Sequence, residues 1–239
     1  GWSGDSAHFG RSVAILLGDF ALAWADDLVH SSGLSAAALQ RVQEPWRAMR
    51  SEVIAGQLLD VSLEASGSER LEDAERVNRF KTAAYTIERP LHIGAALADA
   101  PQPVVDAYRK FGADIGVAFQ LRDDVLGVFG DPAVTGKPAG DDLREGKRTV
   151  LVASALALAD AHNPTAAEAL RRGIGTVKTP EEIAALTDII SATGARQVVE
   201  DRIAELTASG LAHLEEAQIN PDVAEALRGL AIKATTRTM

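Results

Sequence analysis

Phe119-Gln-Leu-Arg-Asp-Asp-Val-Leu-Gly-Val-Phe-Gly-Asp-Pro-Ala-Val-Thr-Gly-Lys137 joins an apolar helix end to a loop rich in glycine and proline. Gln120, Asp123 and Asp124 stand at i, i+3 and i+4, so a helix places all three on one face. Lys137, Lys147 and Arg148 follow them. Carboxylates hold a hard cation through oxygen, and the cation and ammonium groups together neutralise phosphate oxygens. The stretch therefore has the composition of a magnesium–polyphosphate site. A solvated helix end followed by a surface loop would also carry an Asp-Asp pair, so the rest of the chain has to decide.

Outward from this stretch, nearly every segment has helical period. His8–Val29 is apolar enough around its circumference to be expected as a buried core helix ending near Gly33. Ser35 can cap the next helix, which runs to about Glu64. Ser66-Gly67-Ser68 is a hinge before a helix from Leu71 to Ala98, where Pro90 removes a backbone donor and predicts a kink freeing carbonyls near Thr86 and Ile87. Val104–Phe129 is a further long helix ending at Gly130. The 17 residues from Gly130 to Gly146 hold four glycines and two prolines, a loop length usually tied to function or disorder. Beyond it, Asn163-Pro164, Thr179-Pro180 and Asn220-Pro221 each set a capping residue before a proline at the first helical position. Glu182 completes a capping box with Thr179. No window keeps strand alternation, and the expectation is an all-α fold.

Composition narrows the function classes. The 239 residues are 46% hydrophobic, 24% charged and only 5% aromatic, which suits a globular core of closely packed helices. A net charge of −10 argues against nucleic acid as the main partner. It leaves room for an anionic substrate, because bound metal inverts the local field. Absence of cysteine excludes disulfides, thiolate zinc sites and a cysteine nucleophile. No signal peptide is visible, and the longest apolar run, Val150–Ala159, is too short for a transmembrane segment, so a cytoplasmic setting is expected. The chain opens on Gly1 and enters a helical pattern almost at once, which predicts that it starts partway into a longer protein.

Other constellations are weaker alone. Lys81-Thr82 lies just before the kink expected from Pro90, among small neighbours, where an ammonium beside a hydroxyl can grip a diphosphate. Gln57 and Asp60 at i and i+3 either face a central cavity or form an ordinary polar stripe. Asp26-Asp27 reads as a surface helix end, and Asp141-Asp142 as a lid element or a solvated loop. Lys137 and Lys147 flank a loop that can close over a charged ligand and exclude water. His8, His30, His92, His162 and His213 include no pair at metal-ligand spacing.

Together, and in chain order, these residues resemble the trans-isoprenyl diphosphate synthases, or polyprenyl synthetases. The resemblance lies in Leu16-Leu-Gly-Asp19, Gly56-Gln57-Leu-Leu-Asp60, Lys81-Thr82-Ala83, Phe119-Gln120-Leu-Arg-Asp123-Asp124, and Gly136-Lys137 with Glu145-Gly146-Lys147-Arg148-Thr149. From Gln120 to Thr149 the wording is most similar to bacterial geranylgeranyl diphosphate synthases. Two departures stand out. The family's second aspartate-rich motif ends in a third aspartate, where this chain has Gly127. The first such motif, and the Arg-Arg-Gly after it, should precede Leu16 and do not.

The resemblance implies an isoprenoid-synthase helical bundle around a central active-site cavity. Residues 1–239 would be one prenyltransferase domain lacking its N-terminal helices, inactive or nearly so alone. The implied reaction joins isopentenyl diphosphate to an allylic diphosphate with Mg2+, giving a prenyl diphosphate such as geranylgeranyl diphosphate. Asp123 and Asp124 would hold metal. Lys81 and Lys137 would contact the diphosphate, with Lys147 near it, Thr82 and Gln120 would place oxygens by the cation, and Gln57 would bind substrate. A homodimer is expected. The alternatives are a non-catalytic subunit of a heteromeric synthase, or a terpene cyclase of the same fold. Against the cyclase, no Asn/Asp-Asp-x-x-Ser-x-x-x-Glu pattern occurs.

Overall fold

The computed structural model describes residues 3–132, 136, 139–217 and 219–237. Among the described residues there are helices and turns and no strand, in agreement with the all-α expectation. Helix α1 (Ser6–His30) starts at Asp5, whose carboxylate accepts from the Ala7 and His8 amides. Helix α2 (Ala36–Ser66) is capped by Ser35 and ends at Gly67 in the left-handed conformation. Both caps satisfy amides or carbonyls that a helix end leaves open.

The segment expected as one kinked helix is divided. Helix α3 (Leu71–Val77) passes into a π-helical segment (Asn78–Glu88), and α4 (Arg89–Leu97) follows. Pro90 offers no N–H, and the wider winding upstream takes up the irregularity, with the Arg89 amide reaching back to the Ala84 carbonyl. Lys81 and Thr82 ride on this segment.

Helix α5 (Gln102–Phe129) is the axis of the molecule, with the π segment and α10 as its main neighbours. Phe111, Ile115, Ala118, Leu121, Val125 and Val128 recur at three- and four-residue steps and are all buried. Each large apolar side chain buried this way contributes about 1.5–3 kcal/mol. Helix α6 (Asp141–Glu145) is a short turn inside the expected long loop, and α7 (Val150–His162) follows. Then come α8 (Pro164–Gly173), α9 (Pro180–Thr193), α10 (Ala195–Glu216) and α11 (Pro221–Thr235). Asn163, Thr179 and Asn220 cap as predicted, and the Thr179–Glu182 capping box is present. Leu121, Leu151, Leu156, Leu170, Ile190 and Val199 form the main core.

Three close approaches fix the π segment, one of them at Gly112 of α5, where a Cβ would stand 2.5 Å from the Glu88 Cα. A Cβ on Gly56 of α2 would stand 2.4 Å from the Lys81 amide nitrogen, and one on Gly116 of α5 would stand 2.5 Å from the Ala83 Cα. Only glycine permits backbones this near. Charged clamps reinforce the seam. Buried Glu88 pairs with Arg79 and Arg109, and Arg89 donates to both oxygens of Glu52 at 2.8 and 2.6 Å.

Helix α1 departs from expectation. It is helical, yet none of its residues is buried, with Ile15 66% and Leu28 71% exposed. The sequence pattern is right for burial, but the described residues touch α1 mainly near its end, where Trp46 and Arg50 both donate to Asp26. That pairing also explains Asp26 as a structural helix-end carboxylate. No helix among the described residues is long and apolar enough to cross a membrane.

Candidate active site

The C-terminal half of α5, the π segment, α6 and the end of the chain enclose a cleft of about 550 Å³. The Gln120–Asp123–Asp124 face lines it, as the helical spacing requires. Asp124 is only 3% exposed, whereas the Asp123 side chain is 43% exposed. One carboxylate is set into the wall and the other reaches the opening.

A polar chain crosses from the π segment to α5. Thr82 Oγ1 donates to Gln120 Oε1 at 2.7 Å, and Gln120 Nε2 donates to Asp124 Oδ1 at 2.8 Å. Gln120 was expected to offer an oxygen to a cation; here its amide spans Thr82 and Asp124 and orients the carboxylate. Asp124 Oδ2 is buried and completes no hydrogen bond. Burial pushes the Asp124 carboxyl from its ordinary 3.8 up to about 7. The Asp142 and Asp123 charges add to the rise, against Gln120 and the nearby Asn78 amide, which favour the charged form.

Lys81 lines the cleft and pairs with Asp60 Oδ2. Gln57, one residue past Gly56, is exposed and does not line the cleft. Of the two polar positions on that helix, Asp60 is the one turned toward the site. Lys147 lines it too, held by Asp142 at 2.6 Å and Glu145 at 2.9 Å. These two carboxylates raise the Lys147 pKa, outweighing the effect of burial, which works the other way. Lys137 lies outside the described residues.

Asp142 and Arg237 gave little or no signal in the sequence, whereas Arg148 was expected among the cations that follow the acidic pair. Asp142 was read as lid or solvated loop; instead its side chain is turned into the cleft and is only 13% exposed. Arg148 has two buried donors, Nε and Nη1, without a hydrogen-bond partner. Arg237, far along the chain, donates to Asp123 Oδ1 at 2.9 Å and stacks over Phe119. Its long-range partner could not be inferred from neighbouring residues.

The donor set is oxygen-only and fits a hard cation such as Mg2+. Asp124 Oδ2, a buried acceptor that completes no hydrogen bond, is the feature a cation would satisfy. No group of three or more His, Asp or Glu among the described residues is gathered closely enough to hold a metal alone. Ammonium and guanidinium groups of Lys81, Lys147, Arg148 and Arg237 line the same cleft, and such groups suit phosphate oxygens.

Comparison with known proteins identifies the family and the fold. The profile of the family described as Polyprenyl synthetase matches residues 5–191. The (2E,6E)-farnesyl diphosphate synthase of Mycobacterium tuberculosis is 34% identical over 194 residues, covering 80% of this chain and 53% of the relative. The geranylgeranyl diphosphate synthase of the same organism is 31% identical over 216 residues, covering 90% and 60%. The solved structure of geranylgeranyl pyrophosphate synthase from Corynebacterium glutamicum, complexed with isoprenyl diphosphate and magnesium, superposes with a TM-score of 0.96. It is 59% identical, with 99% of this chain and 66% of that one covered. The chain thus spans a little over half the length of these curated relatives. It has the isoprenoid-synthase helical fold and belongs to the polyprenyl synthetase family.

Proposed function

We propose that the full-length protein is a prenyltransferase joining an allylic diphosphate, head to tail, to isopentenyl diphosphate. The observation that carries this reading is the meeting in one cleft of Asp123 and Asp124 with Lys81, Thr82 and Lys147, from three separate stretches of chain. Asp123 and Asp124 would hold Mg2+, and Gln120 keeps Asp124 aimed at it. When bound, the metal neutralises charge that develops on the departing diphosphate. Lys81, Lys147 and Arg148 present donors to the diphosphate oxygens, and Lys137 follows by resemblance alone. The 59% identity to a geranylgeranyl pyrophosphate synthase supports a geranylgeranyl product over a shorter one.

The uncovered apolar circumference of α1 supports association, and we assign it to a second copy of the chain in a homodimer. The setting is cytoplasmic, where both diphosphate substrates would be met in water.

Product analysis on the full-length protein tests the reading, with labelled isopentenyl diphosphate, magnesium and each allylic primer. Chain-extended diphosphate is expected. Its absence, or an Asp123→Ala variant as active as the parent, sinks the proposal. A cyclic hydrocarbon product would instead favour the terpene cyclase.

A further inference from the structure

We infer that Glu88 and Arg79 are positioning residues for Lys81, because their ion pair selects π over α winding in the segment that carries Lys81 and Thr82. The inference rests on the reading of the cleft as a diphosphate site. Arg79 Nη2 lies 2.5 Å from Glu88 Oε2, across the length of the Asn78–Glu88 segment. Over the same interval an α-helix turns through about 900° and rises about 13.5 Å, so residues 79 and 88 would stand on opposite sides and out of reach. A π-helix, bonded five residues apart, turns only about 82° per residue, so the interval makes roughly two full turns. The two side chains then share a face. This pair closes only across the wider winding.

Glu88 is the fixed end of the pair. It is 1% exposed, and its Oε1 accepts from Arg109 Nε on α5 at 3.1 Å. Its backbone lies against Gly112 of α5. Just beyond it, the Arg89 amide donates to the Ala84 carbonyl five residues back, which is the π pattern. Glu88 does not itself line the cleft, so it reaches a ligand only through the residues whose direction it sets. With Glu88 held on α5, each residue returned to α winding rotates the chain upstream by about 18°. Lys81 would swing by roughly 125°, out of the cleft and away from its partner Asp60. Thr82 would likewise leave Gln120, to which it donates at 2.7 Å.

The test is a calorimetric titration of the full-length protein with inorganic pyrophosphate at fixed magnesium. Arg79→Gln removes the pair yet leaves Glu88 matched by Arg109, so the fold is kept, as circular dichroism melts verify. Arg79→Gln and Glu88→Gln should each weaken pyrophosphate binding by on the order of tenfold, while Arg79→Lys should stay within about threefold of the parent. Lys81→Ala is the reference loss. Because the pair acts through Lys81, adding Arg79→Gln to Lys81→Ala should weaken binding by less than about twofold more. Losses that multiply in the double variant overturn the inference, since a general loosening of the fold does not depend on Lys81. If Arg79→Gln binds like the parent while Lys81→Ala does not, the inference is overturned and the reading of the cleft stands. A parent that takes up no pyrophosphate with magnesium overturns both.

Discussion

The Arg237 guanidinium donates to Asp123 Oδ1 at 2.9 Å and lies 4.5 Å from the centroid of the Phe119 ring. It is brought there by Arg122, which donates to the Thr235 carbonyl at 2.8 Å while gripping both oxygens of Glu200. A cation of the chain thus stands on a carboxylate proposed to take metal, and the two compete. The paired side chains are 40% and 43% exposed, so the ion pair contributes only about 0.2–1 kcal/mol. Arg237→Gln is expected to tighten Mn2+ binding by up to about fivefold and to lower stability by less than about 1 kcal/mol. Equal affinity in the two proteins would reject the competition.

Asp124 predicts a pH dependence with a definite sign. Burial, then the Asp142 and Asp123 charges, raise its carboxyl to about 7. A raised carboxyl means that the folded chain holds a proton the unfolded chain has released. The associated stability is complete below about pH 4 and is lost as pH rises through about 7. Asp124→Asn should therefore be about 1–3 kcal/mol more stable than the parent near pH 8, and no more stable near pH 4. Melting curves at the two pH values settle it. A divalent ion displaces the same proton, so Mn2+ affinity should climb between about pH 6 and 8.

Gly56 tests the seam that positions Lys81. A Cβ there meets the Lys81 backbone at 2.4 and 2.7 Å, and backbone cannot rotate aside. Gly56→Ala should cost about 1–3 kcal/mol, lowering the urea midpoint with little change in slope. It should also weaken pyrophosphate binding, because α2 carries Asp60 with it. Gly94→Ala is the control. A Cβ at Gly94 meets nothing within 4 Å, and that substitution should stabilise by up to about 1 kcal/mol.

The exposed face of α1 makes the homodimer checkable. Lysine at Ile15 and Leu28 together should shift sedimentation toward the monomer. Helix content should hold, because neither side chain is buried within the chain. Stability measured on the monomer should change by no more than about 0.5 kcal/mol. A double variant that sediments like the parent would remove α1 from the interface.

Much of the site was legible because helices have a fixed period. Gln120, Asp123 and Asp124 had to share a face once α5 was recognised, and capping chemistry marked α8, α9 and α11 at Asn163, Thr179 and Asn220. Gln57 shows where the period stops helping. The spacing paired it with Asp60, but the rotation of α2 about its axis is set by Gly56 against the Lys81 backbone. With successive residues about 100° apart, that contact leaves Gln57 outside. The same holds for α1, whose apolar pattern specifies a need for cover but not what supplies it.

The Phe119–Lys137 stretch by itself determined a helix, its acidic face and the class of ligand that face suits. These follow from local periodicity and the chemistry of oxygen donors. Only the tertiary structure decided that Gly127 leaves room for the Asp142 carboxylate, and that Arg237 reaches Asp123 from the far end of the chain. Those contacts join residues distant in sequence. They depend on how α5, α6 and α11 pack together, which no local pattern encodes.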